Sequence, residues 1–268
     1  MIIIGEKING AIPKVAEAIE KHDISFVANL AIQQEVAGAD YLDICAGVTS
    51  DKEYDVLCWL IDIVQENVEK PICIDSPDPE MLKKVFKRLK LPGLINSISL
   101  EGNKCDILLP ILRENPQWGV IALCCDNEGI AASDEKKIRL AISLVELASD
   151  YGVTPSRIHI DPLVLALPTV NNSAMDFCIA AKEIKARYPD VNITAALSNI
   201  SFGMPARGLI NRNFLTLAMQ SGLDSVIVDP INREIIGTIF ATDALLGRDR
   251  LCRNYNKAFR SGKIGKLG

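Results

Sequence analysis

Histidine is nearly absent from this chain: among 268 residues, only His22 and His159 carry an imidazole. The eight cysteines, at positions 45, 58, 73, 105, 124, 125, 178 and 252, form no CxxC pair. These two shortages argue against a zinc centre built from Cys and His, and no protein-bound metal is expected. Reduced thiols are expected instead, with Cys58, Cys105 and Cys178 on helical patterns and Cys124-Cys125 filling space at a strand end. An excess of positive charge is missing too. The formal net charge is −5, so nothing marks a nucleic-acid footprint, and the basic stretch 250–266 reads as a solvated terminus. No charge-free apolar run approaches the roughly 18 residues of a membrane span. Ile2-Ile3-Ile4 is too short for a signal peptide and has no basic leader, so a cytoplasmic chain is expected.

What is present is alternation. Short apolar segments at Ile2–Ile4, Asp40–Cys45, Pro71–Ile74, Gly93–Asn96, Gly119–Leu123, Ile158–Ile160, Ile193–Leu197 and Ser225–Val228 read as strands. Between them lie segments with apolar residues at helical spacing, among them 24–37, 54–68, 79–90, 136–148, 173–188 and 235–246. Asn103 and Ser133 stand where helix N-caps are expected. Strands apolar on both faces suit a parallel sheet covered by helices. Repeated right-handed crossovers close most naturally into a (β/α)8 TIM barrel, and the first βα turn lacks the GxGxxG of a doubly wound dinucleotide fold. The composition does not shift along the chain, so one domain over residues 1–268 is expected.

The C-terminal strand ends of such a barrel share one mouth. That rule gathers Glu6, Asn9, Asp43, Asp75, Asn96, Asp126, Asp161, Ser198, Asn199 and Asp229, with Lys7 and Arg207 nearby. Ionised carboxylates accept paired hydrogen bonds, and an asparagine amide both donates and accepts. Asp75, Asn96 and Asp161 together therefore suit a flat neutral heterocycle bearing ring N–H and amine donors. Neither histidine is placed to act as a general acid.

The same segments carry a likeness to a known family. Gly5-Glu6-Lys7-Ile8-Asn9, Leu42-Asp43-Ile44, Ile74-Asp75-Ser76, Ile95-Asn96-Ser97, Ile160-Asp161-Pro162 and, most specifically, Leu197-Ser198-Asn199-Ile200-Ser201-Phe202-Gly203 resemble the pterin-binding barrel family over essentially the whole chain. Within it, the methyltetrahydrofolate:corrinoid methyltransferase branch is the nearest likeness. The resemblance implies a pterin-binding TIM barrel that moves a methyl group between N5 of tetrahydrofolate or 5-methyltetrahydrofolate and the cobalt of a corrinoid (cobalamin). It implies that Asp75, Asn96 and Asp161 contact the pterin, with Ser198 and Arg207 beside it, and that Asn199 reaches N5 as the catalytic residue. There is no DxHxxG, so the corrinoid is expected on a partner protein. A homodimer is implied as well. Two alternatives stand beside this reading: a dihydropteroate synthase-like condensation, and a non-catalytic pterin-binding barrel. Against the first, strand eight exits as Val228-Asp229-Pro230, without the cation that a diphosphate leaving group requires.

Overall fold

The computed structural model describes residues 1–265. Eight parallel strands run in the order β8-β7-β5-β4-β3-β2-β1-β9, and a short β6 pairs with β5. They are β1 (Ile2–Asn9), β2 (Tyr41–Cys45), β3 (Ile72–Asp75), β4 (Leu94–Leu100), β5 (Gly119–Asp126), β6 (Gly129–Ile130), β7 (Ile158–Asp161), β8 (Asn192–Ile193) and β9 (Ser225–Val228). Bridges from Ile193 to Leu223 and from Ala196 to Ile227 join β8 to β9 and bring the ends of the sheet together. The expected TIM barrel forms.

The helices are α1 (Pro13–Glu20), α2 (Ile24–Ala37), α3 (Ser50–Asn67), α4 (Pro79–Phe86), α5 (Lys104–Glu114), α6 (Asp134–Asp150), α7 (Ser173–Arg187), α8 (Arg207–Gln220), α9 (Arg233–Leu245) and α10 (Arg253–Arg260). Their apolar stripes and the outward faces of the strands form one large core, with Leu57, Leu108, Phe177 and Leu215 fully buried. A second, smaller cluster of Ile4, Cys73, Leu94, Ile121 and Ile227 fills the barrel interior. Side chains alternate across a strand, so the next inward positions toward the C-terminal ends are Glu6, Asp75, Asn96 and Asp229. The apolar plug thus forms the floor beneath a polar mouth.

Several sequence expectations are corrected. α1 was not anticipated, and the segment 250–266, most of whose described side chains are exposed as a solvated terminus would be, is folded where a bare tail was read. It carries α10, and Arg233 Nη2 donates to Gly265 O at 3.0 Å, while Ala258 and Ile264 are buried; Lys266 lies outside the described residues. β1 extends through Asn9, and β4 through Leu100. The expected strand Ile193–Leu197 shortens to Asn192–Ile193, and Leu197–Ser201 turns as a 3-10 helix. α4 stops at Phe86 rather than residue 90. Ser133 caps α6 by accepting from Lys136 N at 3.3 Å, whereas Asn103 occupies the cap position of α5 without a side-chain bond. All eight cysteines are free thiols.

Candidate functional site

Register places the mouth residues side by side. Asp75 pairs with Asn96 across β3 and β4, Cys45 with Asp75 across β2 and β3, and Leu123 with Asp161 across β5 and β7. Asn96 Nδ2 donates to Asp43 Oδ1 at 3.2 Å, which fixes the amide orientation and leaves its carbonyl oxygen free of intrachain partners among the described residues. Asp43 is buried, and its carboxyl lies well above the usual range, through burial first and then through Asp75. The thiol of Cys45 lies against Asp75. Burial, opposed by that thiol and reinforced by Glu53, pushes Asp75 up to about 6. Glu53, buried on α3, in turn accepts from Ser76 Oγ at 2.6 Å.

Asp161 sits on the opposite wall, 2% exposed at the end of β7. It accepts from Leu163 N at 2.7 Å, and burial pushes it up to about 6 against the opposing pull of Leu163, Lys137 and the Ala196 amide. Beneath it, His159 Nδ1 lies 2.8 Å from Ser225 Oγ. Burial drives that imidazole down to about 4, so His159 is neutral near pH 7.

The remaining residues occupy the rim. Asn199 is exposed in the 3-10 turn, and among the described residues its side-chain amide makes no intrachain hydrogen bond. Arg207, the first residue of α8, is exposed too; its Nη2 donates to Ser198 O at 2.7 Å and its Nε to Ser201 Oγ at 3.0 Å. The guanidinium therefore clamps the turn that displays Asn199. Asp126 turns away from the mouth toward Lys136, 3.1 Å distant. Lys7 pairs with Asp229 at 3.1 Å.

Two groups gain weight that the sequence did not assign them. Glu6 is half-buried beside Asp229, and its carboxyl is pushed up to about 7 by burial first and Asp229 second, with Lys7 and Arg207 opposing. Its segment was recognised as part of the mouth, but its charge state depends on neighbours far away in sequence. Lys137 is 1% exposed on the inner face of α6. Among the described residues no group of three or more His, Cys, Asp and Glu side chains is arranged to hold a metal, and no helix is long and apolar enough to cross a membrane.

This geometry is a floor of apolar side chains, a wall of acceptors and an amide-bearing rim, which is suited to gripping a flat donor-rich ring by its edge. Comparisons with known proteins agree. Residues 7–229 match the pterin binding enzyme family. The chain is 56% identical over 268 residues to a methylcorrinoid:tetrahydrofolate methyltransferase of Eubacterium limosum, covering 100% of this chain and 99% of that one. It is also 30% identical over 251 residues to the methionine synthase of Mycobacterium tuberculosis, covering 87% of this chain but only 21% of that much longer protein. Among solved structures, a dihydropteroate synthase from Xanthomonas albilineans in complex with 7,8-dihydropteroate superposes with a TM-score of 0.68 at 16% identity, covering 91% of this chain and 92% of that one. At that identity the likeness concerns the fold alone. A barrel with this mouth, matched over nearly its whole length by the family's sequence pattern, belongs to the pterin binding enzyme family.

Proposed function

We propose that this protein is a methyltransferase that carries a methyl group between the cobalt of a corrinoid, held by a separate protein, and N5 of tetrahydrofolate. The observation that carries this reading is the full-length 56% identity to a methylcorrinoid:tetrahydrofolate methyltransferase. That relative's name also supplies the direction proposed here, from methylcorrinoid to tetrahydrofolate. In that direction the N5 lone pair attacks the methyl carbon. The cobalt–carbon bond breaks with its electron pair remaining on cobalt, which becomes cobalt(I), and the methylated N5 gives up its proton to solvent water. Cobalt supplies a good leaving group, so the protein contributes orientation and electrostatics.

In this reading Asp75 and Asp161 accept from the donors of the pterin ring, and Asn96 presents the carbonyl oxygen that its bond to Asp43 leaves free. Ser198 and Arg207 shape the turn beside the ring. Asn199, exposed and without an intrachain partner among the described residues, is the last link to N5. The whole chain acts as one pterin-binding barrel, in the cytoplasm and as a homodimer.

The test is anaerobic stopped-flow mixing of the enzyme with methylcobalamin and tetrahydrofolate, watching the cobalt(I) absorbance. Asn199→Ala is expected to slow transfer about a hundredfold, the loss typical of one hydrogen-bond donor at a reacting centre. Its effect on tetrahydrofolate affinity, measured by calorimetry, should stay within about threefold. An equal loss in both would remove Asn199 from the chemical step.

Binding should also depend on pH, with a defined sign. In the free protein Asp75 and Asp161 hold protons up to about 6, and the ring's N–H donors favour the ionised forms. Affinity should therefore be flat above about pH 7 and fall by up to about a hundredfold per pH unit well below 6, tenfold for each carboxylate. A flat profile from pH 5 to 8 would show that the ring does not meet these carboxylates.

A further inference from the structure

A buried ammonium needs partners or it destabilises the fold. Lys137 opens the buried stripe of α6, in which Leu140, Ala141, Leu144 and Val145 follow it into the core. Its Nζ donates to Pro162 O at 2.7 Å and to Leu163 O at 2.5 Å, which are the carbonyls of the two residues after Asp161. Leu163 in turn donates its N–H to Asp161 Oδ1 at 2.7 Å and takes a left-handed backbone conformation, φ 59°. The same residue is thus held from one end by a buried cation and from the other by the buried carboxylate of the mouth. Two hydrogen bonds to carbonyls would satisfy a neutral amide as well. Placing a full positive charge there has a consequence only if something nearby is negative. The charged and titratable groups facing Lys137 are Cys124 on β5, Asp161 on β7 and Asp176 on α7. Burial keeps the Cys124 thiol protonated, which leaves the two carboxylates.

We propose that Lys137 is a positioning residue of the pterin site: its ammonium locks the Pro162-Leu163 turn that aims Asp161 into the mouth, and its charge keeps that carboxylate ionised from behind. The proposal rests on the functional reading above for its ligand, but its electrostatic half is a property of the free chain. An opposite charge close by lowers a carboxylate by about one to three pH units. With that charge removed, Asp161, already at about 6, would be largely protonated at neutral pH.

The variant that separates charge from hydrogen bonding is Lys137→Gln. Tetrahydrofolate affinity, measured by calorimetry, is expected to fall about tenfold at pH 7 and to recover most of that loss at pH 9, where Asp161 ionises unaided. In an Asp161→Asn background the same change should cost little further. A loss that is equal at both pH values, no loss at all, or full additivity with Asp161→Asn would overturn the proposal. A second measurement needs neither a variant nor a ligand. In the unmutated protein, the Lys137 Nζ resonance in ¹⁵N NMR should shift with the same midpoint as the Asp161 carboxyl carbon, and a lysine signal indifferent to that titration would refute the link. If the unmutated chain binds no tetrahydrofolate, the functional reading fails, and the NMR experiment still judges the electrostatic link between Lys137 and Asp161, which make no direct ion pair, by itself.

Discussion

Asp75→Asn combined with Asp161→Asn is expected to remove tetrahydrofolate binding from any practical range while leaving the fold intact. Each carboxylate is a charged acceptor, and a hydrogen bond to a charged group contributes about 1.5–3 kcal/mol. The two lie on opposite walls, Asp75 on β3 and Asp161 on β7, and are not in contact, so their losses should roughly add to about 3–6 kcal/mol, or two to four orders of magnitude in affinity. Calorimetry with tetrahydrofolate measures this directly. The folding control has a sign of its own. Both carboxyls are raised by burial, so each contributes stability that is fully present below its unfolded value near 3.8 and is lost as pH rises through about 6. A neutral amide carries no such cost, but Asp161→Asn also takes a negative partner from the buried Lys137 ammonium, so the two effects oppose and the double variant should melt within a few degrees of the parent at pH 8. A variant that melts normally and still binds would place the pterin elsewhere.

Gly10→Ala is expected to be strongly destabilising although it adds a single methyl group. Gly10 follows β1, and a Cβ there would lie 1.8 Å from the backbone oxygen of Ala46 and 2.7 Å from its carbonyl carbon. The obstacle is the main chain of the loop leaving β2, which cannot rotate aside as a side chain can. Overpacking of this kind costs about 3 kcal/mol, and in a chain of this size that lowers the melting temperature by about 6–12 °C. Gly208→Ala is the matched control: it lies in α8 with open space around it, and alanine there should stabilise by up to about 1 kcal/mol. Differential scanning calorimetry on both would decide whether the β1 and β2 exit loops are packed backbone to backbone. Parity between the two variants would contradict that packing.

The acceptor wall was legible because two simple periodicities coincide there. Inward positions recur every second residue along a strand, and parallel strands in a barrel end together, so Asp75, Asn96 and Asp161 could be grouped from sequence. What was missed shares a different cause. α1 begins after Ile12, which makes no capping bond, so no cap signal announced it. α10 is short and strongly polar, and of its Tyr255-Ala258-Phe259 face only Ala258 is buried, so that face was too small to stand out within the basic stretch. The segment Thr194-Ala195-Ala196-Leu197 alternates as a strand would, and it does stay extended to Ala196 with isolated backbone bonds to Ile160 and Ile227, before the 3-10 turn begins at Leu197. Lys137 escaped because an amphipathic reading assigns lysine to the solvent face, and only the carbonyls of Pro162 and Leu163 make its burial tolerable. The raised carboxyl of Glu6 depends on Asp229, more than two hundred positions away along the chain.

The shortened β8 gives the mouth two sides of unequal pairing. Asp75 and Asn96 close an unbroken ladder that pairs Cys73 with Leu94, Ile74 with Ile95 and Asp75 with Asn96. Asn199 instead follows a stave whose ladder is two residues long, continued by Thr194 N donating to Ile160 O at 2.8 Å, Ile227 N donating to Ala195 O at 2.9 Å and the Ala196–Ile227 bridge, with the Arg207 clamp behind it. In the proposed reading such a barrel holds the ring against a fully laddered side and presents the Asn199 amide from a less regularly paired one. In the proposed reaction N5 passes from a secondary to a more crowded tertiary amine, and the less regularly paired side of the mouth, which carries Asn199, is where the added methyl group is to be accommodated.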